Sequence, residues 1–188
     1  MLLYTEFPQN RYGIHVRLVD EGDAEFIVML RTDSRLGKYI SSTDNDVDKQ
    51  KNWIKAYKSR EIAGLEYYFI FEKPLGNRLG VSRIYNIAES TFETGSWVFK
   101  RDAPFGAAFL GDIICHEIAF ELFPDKVNIH DIKKDNFGVN KYAEEFHPIL
   151  ISETEDQRRF KNTKENYTLY KDQYLKKLLP LVERFDRK

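Results

Sequence analysis

The chain is poor in several features that would each point to a class of function. Its one cysteine, Cys115, excludes an intramolecular disulfide and is ordinary in a reducing compartment. The 29 basic and 30 acidic residues give a net charge of −1, which does not favour nucleic acid or an anionic membrane as a partner. No apolar run approaches the ~20 residues that span a bilayer, and no basic leader followed by an apolar stretch opens the chain. We therefore expect a cytoplasmic protein whose partners include neither nucleic acid nor membrane.

The residues that are present fit one folded domain. With 188 residues, of which 42% are hydrophobic and 14% aromatic, the chain can bury a sizeable core. No repeat or linker divides it, so residues 1–188 are predicted to form a single α/β domain. The predicted elements, in chain order, are strand 14–19, helices 24–31 and 48–60, strands 66–71, 79–87 and 92–99, helix 105–122, strand 126–132, helix 139–146, a strand beginning at 149–151 and paired with 167–170, and helix 172–185. The charged run 156–165 is interpreted as a solvated loop, and Pro180 is expected to kink or split the last helix.

The most informative stretch runs from Trp97 to Ala108. It is predicted to be a strand that stops at Arg101, turns through Pro104 and opens a helix at 105–108. Small residues at a helix start let the backbone approach a ligand, and the free N–H groups and positive dipole end there favour a phosphate. The alternative is a plain strand-turn-helix in which Gly106 merely relieves packing.

The order of these landmarks, over residues 14–155, resembles the GCN5-related N-acetyltransferases (GNATs). Within that family, the branch that includes the ribosomal-protein N-terminal acetyltransferases is the most similar. The resemblance implies a mixed, mostly antiparallel sheet that splays between two central parallel strands, 92–99 and 126–132, with helices on both faces. It also implies acetyl-CoA as co-substrate, its pantetheine arm entering the splay and borrowing unpaired backbone groups.

The family motif at the turn is Arg/Gln-x-x-Gly-x-Gly/Ala, whose N–H groups hold the pyrophosphate of coenzyme A. Gly106 and Ala108 match this motif, whereas Ala103 stands where Arg or Gln is expected, and Arg101 is the predicted substitute. A backbone N–H within 98–100 is expected to stabilise the oxyanion. The cofactor-binding residues implied in this way are Val98, Phe99, Lys100, Arg101, Phe105, Gly106, Ala107, Ala108 and Asn136.

The resemblance implies direct acetyl transfer to a primary amine, for which two catalytic residues are predicted. Glu93, on the strand before the turn, is the candidate general base; the alternative is a surface glutamate paired with a cation. Family members place a tyrosine acid seven residues after the asparagine of the later motif. That position here is Ala143, so Tyr142, one place earlier, is the candidate acid. A leaving thiol with a pKa of ~8.5 does not itself demand an acid.

No metal is expected. His116 and Glu117 form a fragment of a zinc motif, but no second histidine follows at the required spacing.

The acceptor is the least determined part of the prediction. Trp53, in Gln50-x-x-Trp53, and Tyr85 are candidate substrate-binding residues that would stack on a sugar ring, with core packing as the alternative for both. These features look like members that acetylate nucleotide-linked amino sugars. A protein N-terminus is the alternative acceptor, and a non-catalytic acyl-CoA-binding module or a plain interaction protein are the alternatives to an enzyme. The helical extension at 172–186 is expected to close the domain or to pair with a second subunit, giving a monomer or a homodimer.

Overall fold

The computed structural model describes residues 7–74 and 76–182, and within these ranges the chain forms one α/β domain. The strands are β1 (Gln9–Arg11), β2 (Ile14–Leu18), β3 (Tyr67–Lys73), β4 (Asn77–Tyr85), β5 (Thr91–Phe99), β6 (Val127–Lys133), β7 (Ile149–Glu153) and β8 (Gln157–Asn162). The helices are α1 (Ala24–Thr32), α2 (Val47–Ile62), α3 (Ala107–Leu122), α4 (Phe137–Glu144) and α5 (Lys164–Leu178). Up to residue 146, these bounds agree with the predicted elements to within a few residues; β1 was not predicted.

All eight strands belong to one sheet in the order β1-β2-β3-β4-β5-β6-β8-β7. Every neighbouring pair is antiparallel except β5 and β6, which are parallel because α3 crosses over between them. The predicted mixed sheet with two parallel central strands is therefore confirmed.

The helices cover both faces of the sheet. On one face, α3 and α5 pack on alternate residues of the strands, including Phe69, Phe71 and Phe92. The other face is covered by α1 and α2, which bury Ile70, Val81 and Val98. Because successive side chains of a strand point to opposite faces, each central strand serves both cores.

Local signals set the helix starts. The Asp46 side chain caps α2 by accepting a hydrogen bond from the Lys49 N–H. Gly106 precedes α3 with a φ of 87°, a left-handed conformation that glycine adopts without steric cost. Ten residues of α3 are buried, so the helix is enclosed on nearly all sides, as its apolar sequence predicts.

The prediction for the chain after residue 149 was wrong in its pairing. The segment 149–151 pairs with β8, not with 167–170, which lies in α5. β8 occupies most of the run interpreted as a solvated loop. Its charges are satisfied across strands, since Arg158 pairs with Glu153 at 3.2 Å and Arg159 with Asp131 at 3.4 Å.

The C-terminal extension begins earlier than predicted. α5 starts at Lys164, and a short 3-10 turn, Leu179–Leu181, follows it. Pro180 lies in that turn and splits the helix there, as expected. Residues 183–186 of the predicted extension lie outside the described residues.

Candidate active site

A wedge opens between the two parallel strands. β5 and β6 pair only at Thr91–Val127, Phe92–Asn128 and Glu93–Ile129, although β5 continues to Phe99 and β6 to Lys133. Beyond Glu93 each strand keeps its other neighbour, β4 or β8, and the facing edges separate. Those edges carry backbone groups that have no strand partner, which is what a ligand with amide groups can use.

The wedge holds a cavity of about 790 Å³. Its walls come from β5, β6, α3, α4 and the connection between α1 and α2. Five of its lining residues are cationic, whereas three are carboxylates, Glu93, Asp112 and Asp131; the cations are Arg35, Arg83, Lys100, Arg101 and Lys133. Four of the five cations also pair with carboxylates outside this lining, Arg83 with Glu66, Lys100 with Asp102, Arg101 with Asp33 and Lys133 with Asp156, so their excess is largely neutralised.

A β-bulge lies where the wedge widens. Val81 pairs with Val98 and Arg83 with Gly95, so two residues of β5, Ser96 and Trp97, stand opposite one residue of β4. Ser96 has a φ of 51°, an uncommon conformation for a residue other than glycine. Bulges of this kind re-aim the backbone and are frequent next to active sites.

The register of β5 indicates which of its N–H groups faces the wedge. The Lys100 N–H donates to the Leu79 carbonyl at 2.8 Å and is not available to a ligand. In an antiparallel ladder, hydrogen-bonded pairs alternate with non-bonded pairs, so the pair Gly80–Phe99 is non-bonded. The Phe99 N–H therefore points away from β4, toward the wedge. Of the three positions predicted to hold an oxyanion donor, Phe99 is the one that fits, and Lys100 does not.

The predicted phosphate turn is only partly exposed to this cavity. Val98, Phe99, Lys100, Arg101, Ala108 and Asn136 line the cavity, whereas Phe105, Gly106 and Ala107 do not. Ala107 is fully buried, and Gly106 packs against the C-terminal turn. The Ala107 N–H donates to the Pro104 carbonyl at 3.0 Å, so an anion at this helix start would be bound by the other N–H groups of the first turn.

Two other predicted ligands of the cofactor have protein partners. Arg101 donates from Nη2 to both carboxylate oxygens of Asp33, at 2.6 and 2.8 Å. Hydrogen bonds from the Leu36 N–H, Arg101 and the Arg35 N–H lower the pKa of Asp33 to about 2. The Asn136 side chain caps α4 by accepting from the Val139 N–H at 3.4 Å. Both side chains have structural roles beside the cavity.

A continuous chain of polar side chains crosses the α3 side of the wedge. The Tyr142 hydroxyl donates to Asp112 Oδ2 at 2.9 Å, and that carboxylate lies 3.4 Å from His116 Nδ1. His116 Nε2 is 3.1 Å from the Thr94 hydroxyl, which also accepts from Asn128 Nδ2 at 3.2 Å. Thr94 is the first residue of β5 after its pairing with β6 ends. The chain thus reaches the point where the wedge begins.

Burial and charge shift the pKa values of these hydrogen-bonded side chains in different directions. Burial raises the pKa of Tyr142 well above its usual value, and the neighbouring Asp112 adds to that effect. Burial alone would lower the pKa of His116, but the charge and hydrogen bonds of Asp112 outweigh it and raise that pKa. His130, whose Nδ1 lies 2.9 Å from Asn128 Oδ1, has its pKa lowered to about 4 by burial and then by His116. Tyr142 therefore loses its proton less readily than an ordinary tyrosine, and contact with Asp112 favours the protonated form of His116.

Glu93, the predicted base, lies on the opposite side of the wedge from that chain. Its carboxylate is held by two neighbours, Arg159 Nη2 at 3.2 Å from Oε1 and Asn86 Nδ2 at 3.1 Å from Oε2. Tyr85, a predicted substrate residue, is the cross-strand partner of Glu93 and lines the same cavity. Glu93 is thus both fixed in position and accessible to a ligand.

Trp53, the other predicted substrate residue, does not line this cavity and has protein groups around its ring. It stacks on Tyr57 with centroids 5.6 Å apart, and the guanidinium groups of Arg60 and Arg83 lie 5.2 and 5.1 Å from its centroid. Trp53 is partly exposed and lines a smaller, adjoining cavity. It also helps to hold Arg83 in place.

Arg83 is a site residue that sequence reasoning missed. Its guanidinium also lies 5.0 Å from the Tyr85 centroid and 5.5 Å from that of Tyr68, and it pairs with the buried Glu66. In the sequence, Arg83 is an ordinary arginine within a predicted strand. The one signal for its position is the alternation of side chains along a strand, which places Arg83 on the same face as Val81 and Tyr85. Thr94 and Asp112 were missed because their partners are distant in sequence, and His116 was considered only as a metal ligand.

The connection between α1 and α2 closes the cavity over β6. The Tyr39 hydroxyl donates to the Asp135 carbonyl at 2.9 Å, and Lys38 Nζ lies 3.3 Å from its carboxylate. Arg35, Leu36, Tyr39, Ile40 and Ser41 from this connection line the cavity. A ligand in the wedge is therefore bounded by a segment attached to both halves of the sheet.

The overall fold is similar to that of several solved structures. Apo FdhC, a nucleotide-linked sugar GNAT, is 31% identical, with a TM-score of 0.81, over 92% of this chain and 99% of that one. The chain belongs to the GNAT superfamily. Two further structures share the GNAT fold. A ribosomal-protein-S5-alanine acetyltransferase from Vibrio fischeri is 14% identical, with a TM-score of 0.70, over 82% of this chain and 95% of that one. A spermidine N-acetyltransferase from Vibrio cholerae, in complex with CoA and spermine, is 15% identical, with a TM-score of 0.69, over 84% of this chain and 99% of that one. The confirmed fold agrees with the resemblance seen in the sequence.

Other comparisons and searches returned nothing. No family model matches this GNAT chain, and no curated protein matches it. Among the described residues, no group of three or more His, Cys, Asp or Glu side chains is placed to hold a metal ion. Within the same ranges, no helix is long and apolar enough to cross a membrane.

Proposed function

We propose that this GNAT transfers an acetyl group from acetyl-CoA directly to the primary amine of a nucleotide-linked amino sugar. The observation that carries the proposal is the polar wedge beyond Glu93, in a chain 31% identical to a nucleotide-linked sugar GNAT over nearly its whole length. The wedge provides unpaired backbone for a co-substrate on one side and a fixed carboxylate for an amine on the other.

The residues that would hold acetyl-CoA are the free edge of β5 up to Phe99 and the start of α3 at 106–108. When bound there, the co-substrate supplies an acetyl group activated as a thioester. Lys100 and Arg101 line the same end of the cavity and bring positive charge to it. Arg101 serves this purpose once its carboxylate partner, Asp33, is exchanged for a phosphate.

Glu93 is proposed to take the proton from the acceptor amine, directly or through one water. An amine with a pKa near ~10 is mostly protonated at neutral pH and cannot attack until a base removes that proton. Arg159 and Asn86 hold the carboxylate at a defined position for this role. The Phe99 N–H is proposed to stabilise the negative charge that develops on the carbonyl oxygen.

Tyr142 remains the candidate acid, with one condition set by its surroundings. Its hydroxyl donates to Asp112, so it must exchange that hydrogen bond before it can protonate a leaving group. The Thr94 hydroxyl lies in the same chain and at the edge of the wedge, where it can pass a proton from His116. By either route, a proton passes from the chain Tyr142–Asp112–His116–Thr94 to the sulfur of the leaving coenzyme A thiolate.

The cavity offers cations that a diphosphate can engage. Five cations line it, and a phosphate would displace the carboxylate partners that four of them now have, as for Arg101 and Asp33. A sugar nucleotide carries a diphosphate that these cations can neutralise. The same cations also suit the phosphates of coenzyme A.

The test is thiol release from acetyl-CoA with a panel of amines. The panel contains UDP- and dTDP-linked amino sugars, the matching free amino sugars, spermidine and a peptide with a free N-terminus. We expect turnover with a nucleotide-linked amino sugar and a kcat/KM at least tenfold lower with the free sugar. Turnover only with spermidine or the peptide would assign a different acceptor, and binding of CoA without turnover of any amine would indicate a non-catalytic module.

A further inference from the structure

A second, smaller cavity adjoins the wedge. It has a volume of about 270 Å³ and shares Ser41 and Arg83 with the larger cavity. The α1–α2 connection, the first turn of α2 and strands β3 and β4 form its walls, through Arg31, Ser41, Ser42, Thr43, Asp44, Asp46, Lys49, Gln50, Trp53, Tyr68 and Arg83. At this volume, below the ~300 Å³ lower end for drug-sized ligands, it suits one ring of a longer ligand.

Polar atoms without a protein partner concentrate at this cavity. In the described part of the chain, three buried side-chain polar atoms have no hydrogen bond, and two of them, Tyr68 Oη and Arg83 Nε, belong to lining residues. Tyr68 is 2% exposed, and burial raises its pKa, an effect that Arg31 and Arg83 partly offset. Leaving such groups unpaired costs free energy, so their clustering points to a ligand that pairs with them.

Gln50 is a further polar side chain in the lining. It is 9% exposed, and its amide is not among the fully buried groups that lack a partner. A primary amide offers a donor and an acceptor side by side. Gln50 therefore adds a donor and an acceptor to a lining in which Tyr68 Oη and Arg83 Nε are fully buried.

We infer that this cavity binds the pyrimidine base, uracil or thymine, of the acceptor, an inference that rests on the proposed function. The imide edge of these bases reads acceptor–donor–acceptor. It matches the Gln50 amide, which accepts from the ring N–H and donates to one carbonyl, with Tyr68 or Arg83 donating to the other. Asp44 and Asp46 also line the cavity and nearly balance its three cations, Arg31, Lys49 and Arg83, so the lining suits a neutral ring.

The junction of the two cavities then receives the diphosphate. Arg83 lines both cavities, and Arg31, in the smaller one, reaches the bulge of β5 by donating to Ser96 Oγ at 3.2 Å. The amino sugar extends from the diphosphate into the wedge, toward Tyr85 and Glu93. Base, diphosphate and amine thus each have a matching part of the surface.

The experiment is calorimetric titration of UDP and dTDP, with ADP as the comparison, into the full-length protein and two matched variants. Tyr68→Phe removes the unpaired hydroxyl, and the control Tyr67→Phe removes a hydroxyl from the adjacent residue of β3, which packs in the core on the other face of the sheet. We expect UDP or dTDP to bind at least tenfold more tightly than ADP, and Tyr68→Phe to weaken that binding at least fivefold. Tyr67→Phe should leave it unchanged. The thermal midpoint of Tyr68→Phe should equal or exceed that of the parent, because an unpaired buried hydroxyl is removed.

Gln50→Leu provides a second variant on a different element, with the same expected loss. Equal binding of ADP, or equal effects of Tyr68→Phe and Tyr67→Phe together with no effect of Gln50→Leu, would overturn the inference. Turnover of a nucleotide-linked amino sugar with no effect of either cavity variant on its KM would also overturn it while leaving the proposed function intact. If no nucleotide binds and only free amines are acetylated, both fail.

Discussion

Val182 lies against Gly106, so the C-terminal turn covers the residue that starts α3. A Cβ on Gly106 would come within 2.6 Å of Val182 Cγ2 and 3.5 Å of Leu178 Cδ1. Glycine is thus required at position 106 for two reasons: the backbone has a φ of 87°, and Val182 leaves no room for a Cβ. The extension closes the domain at the turn that precedes α3, which is one of the two roles expected from the sequence.

Gly106→Ala is expected to lower both stability and affinity for CoA. A left-handed φ costs alanine about 1 kcal/mol, and the added methyl group collides with Val182. Urea unfolding and calorimetric titration of CoA measure the two effects. In the double variant Gly106→Ala/Val182→Ala the collision is relieved, but the backbone strain at position 106 remains. We therefore expect Gly106→Ala to lower the stability of the Val182→Ala protein by less than it lowers that of the parent. If it does not lower the stability of the Val182→Ala protein at all, strain at this turn is negligible.

Glu93→Gln is expected to reduce kcat by about 10²-fold or more, as for loss of a general base, with the Kd for CoA unchanged. The variant keeps the shape and the contact with Asn86 but cannot accept a proton. Steady-state kinetics from pH 6 to 9 measures the effect. The matched control is Glu153→Gln, because Glu153 is also 3.2 Å from an arginine of β8 but lies outside the cavity. Similar kcat values for both variants would remove Glu93 from the mechanism.

Sequence patterns sufficed for the fold up to residue 146 because each element there carries a local signal. Alternation marks β3 to β5, and Asp46 and Gly106 mark helix starts. Position 147 carries no such signal in the sequence. His147 adopts a left-handed φ of 45°, a conformation that favours glycine.

The rest depends on contacts that periodicity does not encode. β8 reads as a charged loop because its arginines are neutralised by Glu153, Asp131 and Glu93, on three other strands. Arg83 is ordinary in sequence and becomes central only when Trp53 and Tyr85 are brought around it. Likewise, the contact between Thr94 and His116 joins residues 22 positions apart on different elements.

Tyr39→Phe is expected to raise the KM for the acceptor about fivefold, which corresponds to the ~1 kcal/mol of one hydrogen bond, with little change in kcat. The variant loses the bond from the Tyr39 hydroxyl to the Asp135 carbonyl, which fastens the α1–α2 connection over β6, and the bond that this hydroxyl accepts from Lys38 Nζ at 2.7 Å. Lys38→Ala is the comparison, because it removes the Lys38 bond and the exposed Lys38–Asp135 pair but keeps the bond from Tyr39 to Asp135. A larger effect of Lys38→Ala would mean that charge, not the Tyr39 bond, positions the connection.

His130 is expected to destabilise the protein as the pH falls from neutral. Its pKa is about 4 in the folded protein against 6.5 for an ordinary histidine, because it is buried and lies near His116. Between these values the unfolded chain binds a proton that the folded protein excludes, so stability is lost as pH drops, on the order of 3 kcal/mol in all.

The test is urea unfolding of the parent, His130→Asn and His116→Asn at pH values from 8 to 4.5. His130→Asn stays neutral and can still donate to Asn128, so its stability should fall less than that of the parent below pH 6.5. His116 has the opposite sign, because Asp112 raises its pKa in the folded protein. Its contribution is present below the unfolded pKa and is lost as pH rises through the folded pKa, so His116→Asn should be most destabilising at acidic pH. If both variants shift the pH profile in the same direction, the two histidines do not titrate as this hydrogen-bonded chain requires.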